Sequence, residues 1–311
     1  MSERSGESSG LKCGVLWASG ISALLMVLGY YFVASERITL GSAIFIAVPF
    51  VAGLTIGLPV NNIKHIALSG LGGCVFAMSF LIVMGMDGIF CALMAAPLAM
   101  AAMIVAGLLV HVAKIIFKKD EFNSGKHLLI LLLLSPLLVA AVDKAEEPRR
   151  ASPAAVTISD SIRIAATADR IWEALGRFES MDGAKPFLLQ LGVLPVPRRC
   201  TLEGEGKGSV RTCYFDKGTI MQEVTAWQKP SRMEFEITGD NLPGNQWLTF
   251  SKAGYELTEE AGEIRVTRHT TIESRLWPRW YWEPIERLGV RSEHDFVLQS
   301  LSQKLRLTKR D

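Results

Sequence analysis

Hydrophobic positions fall along this chain in two unlike patterns. Up to Val142 they form five long blocks, at residues 13–34, 38–60, 66–86, within 88–113, and at 128–142, with few charges between them. Beyond Asp143 they alternate with polar residues or recur at helical spacing. About 20 helical residues cross a hydrocarbon core of roughly 30 Å. The first four blocks are long enough, and the Leu-rich fifth, at 15 residues, sits at the short edge of that range. The pattern predicts an α-helical transmembrane bundle of about five helices over residues 1–142, a linker over 143–155 and a soluble domain over 156–311. The first block is long, lacks a small-x-small cleavage site and is followed by further spans, so it is expected to remain as an anchor rather than leave as a signal peptide.

In the soluble half, residues 156–164 alternate as a strand, and 168–176 place Ile171, Trp172 and Leu175 on one helical face, with Thr167 positioned to cap. A short second helix is expected within 186–197. Strands follow near 200–204, 209–215, 219–227, 232–238, 247–257 and 263–277, broken by Gly- and Pro-containing turns. Residues 280–307 form a long helix in which His294, Leu298, Leu301 and Leu305 recur at three and four, with Ile285 and Leu288 extending the stripe upstream. This order predicts an α+β layout in which a curved antiparallel sheet wraps the final helix.

Charge sharpens the division. The first 142 residues hold 8 Lys and Arg against 6 Asp and Glu, and the remaining 169 hold 25 of each. A balanced soluble half without a basic stripe or a nucleic-acid motif speaks against nucleic-acid binding. Arg4, Lys12, Lys64, Lys114, Lys118, Lys119 and Lys126 fall on one side of a five-span arrangement, and only Arg37 falls in the opposite short loops. The positive-inside rule then gives a multi-pass protein of the plasma (inner) membrane, N-terminus cytoplasmic and C-terminal domain extracytoplasmic. Should the fifth block not span, that domain becomes cytoplasmic. Asp87 falls between two blocks, as an interfacial loop residue would, and neither a pair of charged, broken helices nor an inverted repeat points to transport.

Three segments together resemble a known family: IRIAATADRIWEAL from Ile162, the Gly-rich hairpin EGEGKGSVRTCYFDKG, and WPRWYWEPIER before the final helix. They are similar to the SRPBCC, or START-like helix-grip, superfamily, closest to its polyketide cyclase/dehydrase and lipid-transport group. The resemblance covers roughly residues 156–307 and implies an internal hydrophobic cavity between sheet and C-terminal helix. It implies no single reaction, since members bind lipids, hormones or polyketides and only some are catalytic.

Candidate residues follow from hairpin arithmetic. A three-residue turn at Asp216-Lys217-Gly218 would set Phe215 opposite Thr219, Cys213 opposite Met221 and Arg211 opposite Glu223. Arg211, Cys213 and Phe215 would then share a face with Met221, Glu223 and Trp227, lining the cavity, with Arg211 and Glu223 orienting a ligand head group. An ordinary salt bridge on the solvent side is the plain alternative. His294 and Leu298 reach the same space from the final helix. His294 is read either as a donor or acid/base group or as a satisfied core histidine. Centring a second turn between Gly206 and Lys207 sets Cys200 opposite Cys213, a disulfide in an oxidising compartment or two buried thiols otherwise. Trp277, Trp280, Tyr281 and Trp282 suit docking on a bilayer surface or packing at the strand–helix junction. No spacing points to a metal site. No cofactor is implied, and the oligomeric state is not legible. The expected function is a membrane-tethered binding protein for a hydrophobic or amphipathic small molecule, plausibly a lipid. The alternatives are a cyclase or dehydratase using Arg211, Glu223 and His294, and a non-catalytic sensing or interaction protein with a filled core.

Overall fold

The chain divides into two units, Met1–Ala151 and Ser152–Asp311. The computed structural model describes residues 16–17, 19–29, 31, 41–60, 62–83, 89–117, 124–150, 153–192, 194–245 and 247–307.

The first unit is helical. It contains α1 (Ser19–Gly29), a π-helical turn (Ala43–Ala47) that runs directly into α2 (Val48–Gly57), α3 (Ile63–Val83), α4 (Ile89–Ile116) and α5 (Ser124–Arg150). Two stretches, Ile63–Phe80 and Met94–Ile116, are long and apolar enough to cross a bilayer, while Ser19–Gly29 and Ala43–Gly57 are apolar but shorter. Among the described residues, two of the five expected spans therefore meet the requirement by length and composition. The second expected block stops at Gly57 because Pro59, following Leu58, cannot continue the hydrogen-bond ladder. Part of the first block and Asp87 lie outside the described residues.

α2 and α4 meet backbone to backbone. A Cβ added at Gly53 would lie 2.2 Å from the Met103 carbonyl oxygen, and one at Gly57 would lie 2.7 Å from Val110 Cβ. One turn apart, these two glycines let the helices approach as small-residue stripes do in apolar solvent. Both ends of the Ser42–Gly57 helical run are held by charges of the sign its dipole favours. At the N-terminal end, the Ser42 backbone N–H donates to Glu146 Oε2 at 2.8 Å. At the C-terminal end, Lys114 Nζ donates to the carbonyls of Gly57, at 2.8 Å, and Leu58.

The Glu146 contact also corrects the expected tether. Residues 143–150 continue α5 rather than forming an irregular linker, and Ala154 already begins the first strand. Extending an existing helix through Ala, Glu and Lys costs little, because nucleation has been met upstream and these residues favour helix.

The second unit is a seven-stranded sheet with one long helix. Its elements are β1 (Ala154–Ile164), α6 (Ala168–Gly176), α7 (Phe187–Gln190), β2 (Pro197–Glu203), β3 (Val210–Phe215), β4 (Gly218–Gln228), β5 (Arg232–Asp240), β6 (Leu248–Glu260), β7 (Glu263–Ser274) and α8 (Arg279–Leu307). The strand order is β1-β7-β6-β5-β4-β3-β2, antiparallel throughout. This curled sheet under a C-terminal helix is the helix-grip layout that the element order predicts. Thr167 precedes α6 as expected, without a side-chain cap bond.

Period-two alternation turns Ile264 and Val266 of β7, Ala253, Tyr255 and Leu257 of β6, and Met233 and Phe235 of β5 toward a core completed by Phe296, Val297, Leu298, Leu301 and Leu305 of α8. Leu288 does not extend the α8 stripe and is 57% exposed. A stripe at 3.6 residues per turn drifts around so long a helix, and the buried positions upstream are Trp282, Glu286 and Val290.

The α2–α4 contact has a direct test. Gly53→Leu should destabilise the full chain in detergent by about 1–3 kcal/mol through overpacking. Gly20→Leu, where nothing lies within 4 Å of the added Cβ, should leave its melting temperature unchanged.

Candidate functional site

The β3–β4 hairpin turns one residue earlier than its sequence suggests. Phe215 pairs with Gly218, Cys213 with Ile220 and Arg211 with Gln222, so the loop is Asp216-Lys217 alone. Gly218 enters the strand with φ of 116°, a conformation that the missing Cβ permits. Asp216 is pinned to Val196 by two bonds, its N–H to the carbonyl at 3.0 Å and its Oδ1 to the N–H at 2.8 Å. A one-residue slip exchanges the faces of a strand. Met221 and Glu223 consequently point outward and are exposed, and no Arg211–Glu223 pair forms. Ile220, Gln222 and Val224 point inward in their place. A bulge between Val224 and Ala226 restores the inward face at Trp227, whose ring meets Trp172 edge-on at 5.0 Å. Arg211, Cys213 and Phe215 lie on the inner side.

Arg211 is 1% exposed, the largest fully buried side chain among the described residues. Its Nη1 donates to Gln222 Oε1 at 3.0 Å. Its guanidinium carbon lies 4.9 Å from the Phe235 ring centre and 5.8 Å from that of Tyr255. Nε and Nη2 make no hydrogen bond of good geometry, although the neighbouring Tyr255 side chain favours the guanidinium charge. Burial lowers the pKa of this group, opposed first by Tyr255, yet an arginine remains charged in proteins.

Tyr255 also meets Arg268, whose guanidinium carbon lies 5.2 Å from the ring centre. Arg268 donates through Nη1 to the Tyr255 hydroxyl and through Nη2 to both carboxylate oxygens of Glu293, at 2.8 and 3.0 Å. Burial opposes its charge, but Glu293 and then Tyr255 raise its pKa overall. Its Nε is also unpartnered. The concave face thus carries a polar cluster in which Arg211, Gln222 and Tyr255 are buried and the Arg268–Glu293 pair is part-buried at its margin. Two guanidinium groups and one carboxylate leave it with one net positive charge.

His294 sits beside this cluster with no exposed surface. Its Nδ1 contacts Asp160 Oδ2 at 2.8 Å and its Nε2 contacts Thr270 Oγ1 at 2.8 Å. A neutral ring satisfies both, donating to the carboxylate and accepting from the hydroxyl. Burial, then the nearby charge of Arg268 and His269, lowers its pKa to about 2. Burial likewise raises that of Asp160, against the pull of Arg291. His294 therefore has no free nitrogen to offer a ligand, and the ring ties α8 to β1 and β7. Leu298, one turn further on, packs in the core.

The remaining candidates separate. Cys200 and Cys213 are cross-strand partners joined by a disulfide. In the aromatic segment, Trp282 is buried and donates from its indole to the Trp277 carbonyl at 3.2 Å. Only Trp280 is strongly exposed, at 69%. The four aromatics therefore share no single docking face, because consecutive helical positions point about 100° apart. A groove of about 530 Å³ runs along the outward face of α8, lined by Trp280, Pro284, Leu288 and Arg291 among others. Among the described residues no group of three or more metal-ligating side chains gathers. Sequence reasoning missed Gln222, Tyr255, Arg268 and Glu293. Period-two alternation from Val266 would have placed Arg268 inside, but its position in a run of polar residues concealed it.

The sealed histidine makes stability pH-dependent in a defined direction. Its folded pKa lies below the unfolded value of 6.5, so below pH 6.5 the unfolded chain binds the extra proton and stability falls toward about pH 2. The limiting slope is about 1.4 kcal/mol per pH unit. Melting curves of the full chain on acidification should show this loss, and His294→Gln should flatten it. An unchanged pH profile in that variant would contradict a neutral, buried His294.

Residues 155–306 match the family model described as polyketide cyclase / dehydrase and lipid transport. Among solved structures, the chain is similar to protein Ms6760 from Mycobacterium smegmatis, with 17% identity over 49% of this chain and 92% of that one, TM-score 0.34. It is also similar to a START superfamily protein from the same organism, with 9% identity over 49% and 98%, TM-score 0.35. A third similarity is to norcoclaurine synthase from Thalictrum flavum, with 12% identity over 50% and 89%, TM-score 0.33. No curated protein matches. The family match and the observed layout support a SRPBCC-like, START-like domain in the second unit.

Proposed function

We propose that this protein is a membrane-anchored binding module whose helix-grip domain accepts an amphipathic small molecule. The observation that carries this reading is the polar cluster on the concave face. An interior that served stability alone would hold apolar side chains there, because burying under-paired charge costs several kcal/mol that hydrophobic replacements do not. Such groups are retained where they meet something else. The grip is closed over them, with Phe235, Tyr255 and Phe296 each under 2% exposed. Binding then proceeds by opening of the grip, and the ligand's affinity for the open form must exceed the cost of opening.

The anchor reading draws on the first unit. Leu129, Leu133, Leu134 and Leu137 of α5 are more than half exposed, Leu133 and Leu137 at 67%, an arrangement suited to lipid rather than water. The helix-end contacts fit alternating spans. The helical run that leads into α2 starts at Glu146, just beyond the fifth apolar block, and α2 ends at Lys114 in the last turn of α4, next to the loop that the positive charges assign to the cytoplasm. The Cys200–Cys213 disulfide favours an extracytoplasmic second unit, since oxidising compartments preserve such bonds. A tether at the bilayer surface raises the local concentration of an amphipathic ligand. The catalytic alternative loses two of its three groups, because Glu223 points outward and both nitrogens of His294 are engaged.

Native mass spectrometry of the full chain released from detergent tests the reading. A stoichiometric amphiphile that persists after the bilayer phospholipids are stripped, and leaves on denaturation, is the expected result. A bare chain at the same activation energy would contradict it.

A further inference from the structure

We infer that the ligand carries a carboxylate and that Arg211 is its receptor inside the grip. This deepens the binding reading above and rests on it. In a guanidinium group Nη1 lies on the Cδ side, whereas the Nε–H and Nη2–H bonds point in parallel from a single edge. Gln222 occupies Nη1. The two unpartnered donors are Nε and Nη2, the complete free edge. Two parallel N–H groups match the two oxygens of one carboxylate in a bidentate pair.

The surroundings select for the same chemistry. Phe235 and Tyr255, whose rings stand at 89° to each other, flank the guanidinium at 4.9 and 5.8 Å, so aromatic contacts from two directions confine the fork. Val224, Met233 and Phe235, none more than 1% exposed, pack in the closed core beside Arg211, where the body of an amphiphile would lodge once the grip opens. Glu293 neutralises one of the two arginines, leaving a single positive charge for the ligand to meet. That balance favours a monoanion over a dianionic phosphate. Arg268, bonded to the Tyr255 hydroxyl, keeps a further unpartnered donor, its Nε. A neutral ligand would leave the Arg211 charge desolvated and uncompensated, whereas a carboxylate turns a buried cost into a charge-assisted pair.

The test uses the full chain in detergent, with palmitic acid, hexadecanol and hexadecyl phosphate as matched probes and their retention read by native mass spectrometry. Palmitate should be retained about tenfold better than hexadecanol, a preference the paired donors supply. Arg211→Met should abolish the preference while the ligand-free chain melts at the same temperature or higher, since a strained buried charge is removed. Equal retention of palmitate and hexadecanol, unaffected by the substitution, would overturn the carboxylate assignment and leave the binding reading standing. Preference for hexadecyl phosphate would overturn it as well. Retention of none of the three would reject the binding reading and this inference with it. If Arg211→Met does not fold, Arg211→Lys decides, because it keeps the charge and loses the fork. An undiminished palmitate preference in that variant overturns the proposal.

Discussion

A guanidinium enclosed by aromatic rings must either complete its hydrogen bonds or be held in place by the structure around it, and Arg211 is held. Its strand is fixed from both sides, to β2 through the Cys200–Cys213 bond and to β4 through the Gln222 contact. The sheet continues through Phe235 and Tyr255 to Arg268, whose carboxylate partner Glu293 comes from α8. The next residue on that helix, His294, ties α8 to Asp160 and Thr270. A single row of polar groups therefore crosses the grip beneath the helix. Every member is engaged by neighbours except the free edge of Arg211 and the Nε of Arg268. The ties that hold α8 to the sheet and the anion recognition proposed for Arg211 come from the same row.

The first unit solves a different problem with a similar economy of means. In the bilayer setting proposed for it, helices gain nothing from hydrophobicity against one another, so contact depends on close approach and on the few polar groups present. Gly53 and Gly57 supply the approach, and Glu146 and Lys114 hold the two ends of the helical run that carries them. Apolar side chains of α5 then turn outward. Residues 143–150 belong to this arrangement rather than to a loose connector, because the helix that begins at Ser124 carries Glu146 to the start of the Ser42–Gly57 run.

Much of the second unit's layout was legible in the sequence, because alternation and helical recurrence follow directly from which faces are buried. The order of elements along the chain, the bounds of α6 and the inward positions of Leu298, Leu301 and Leu305 required nothing more. The register of β3 against β4 was not legible. A glycine after Asp-Lys reads equally as the third residue of a loop or as the first residue of a strand, and only the contacts of Asp216 with Val196 and of Gly218 with Asn241 decide between them. One residue of slip removed Met221 and Glu223 from the interior and put Gln222 there. Arg268 and Tyr255 were hidden for another reason. Polar residues within strands are ordinarily solvated, and their burial depends on partners from β5, β3 and α8 that lie distant in sequence. The aromatic segment misled in the opposite sense, since proximity along the chain suggested one surface where helical geometry disperses the rings.

The open edge of Arg211 awaits an acidic partner. Nitrogen-15 NMR of the full chain labelled at arginine reads that edge directly through the side-chain Nε–H resonance. Addition of palmitate should move the Arg211 signal downfield and slow its exchange with water, and hexadecanol should do neither. A resonance that is indifferent to the acid, or that responds equally to the alcohol, would contradict the account.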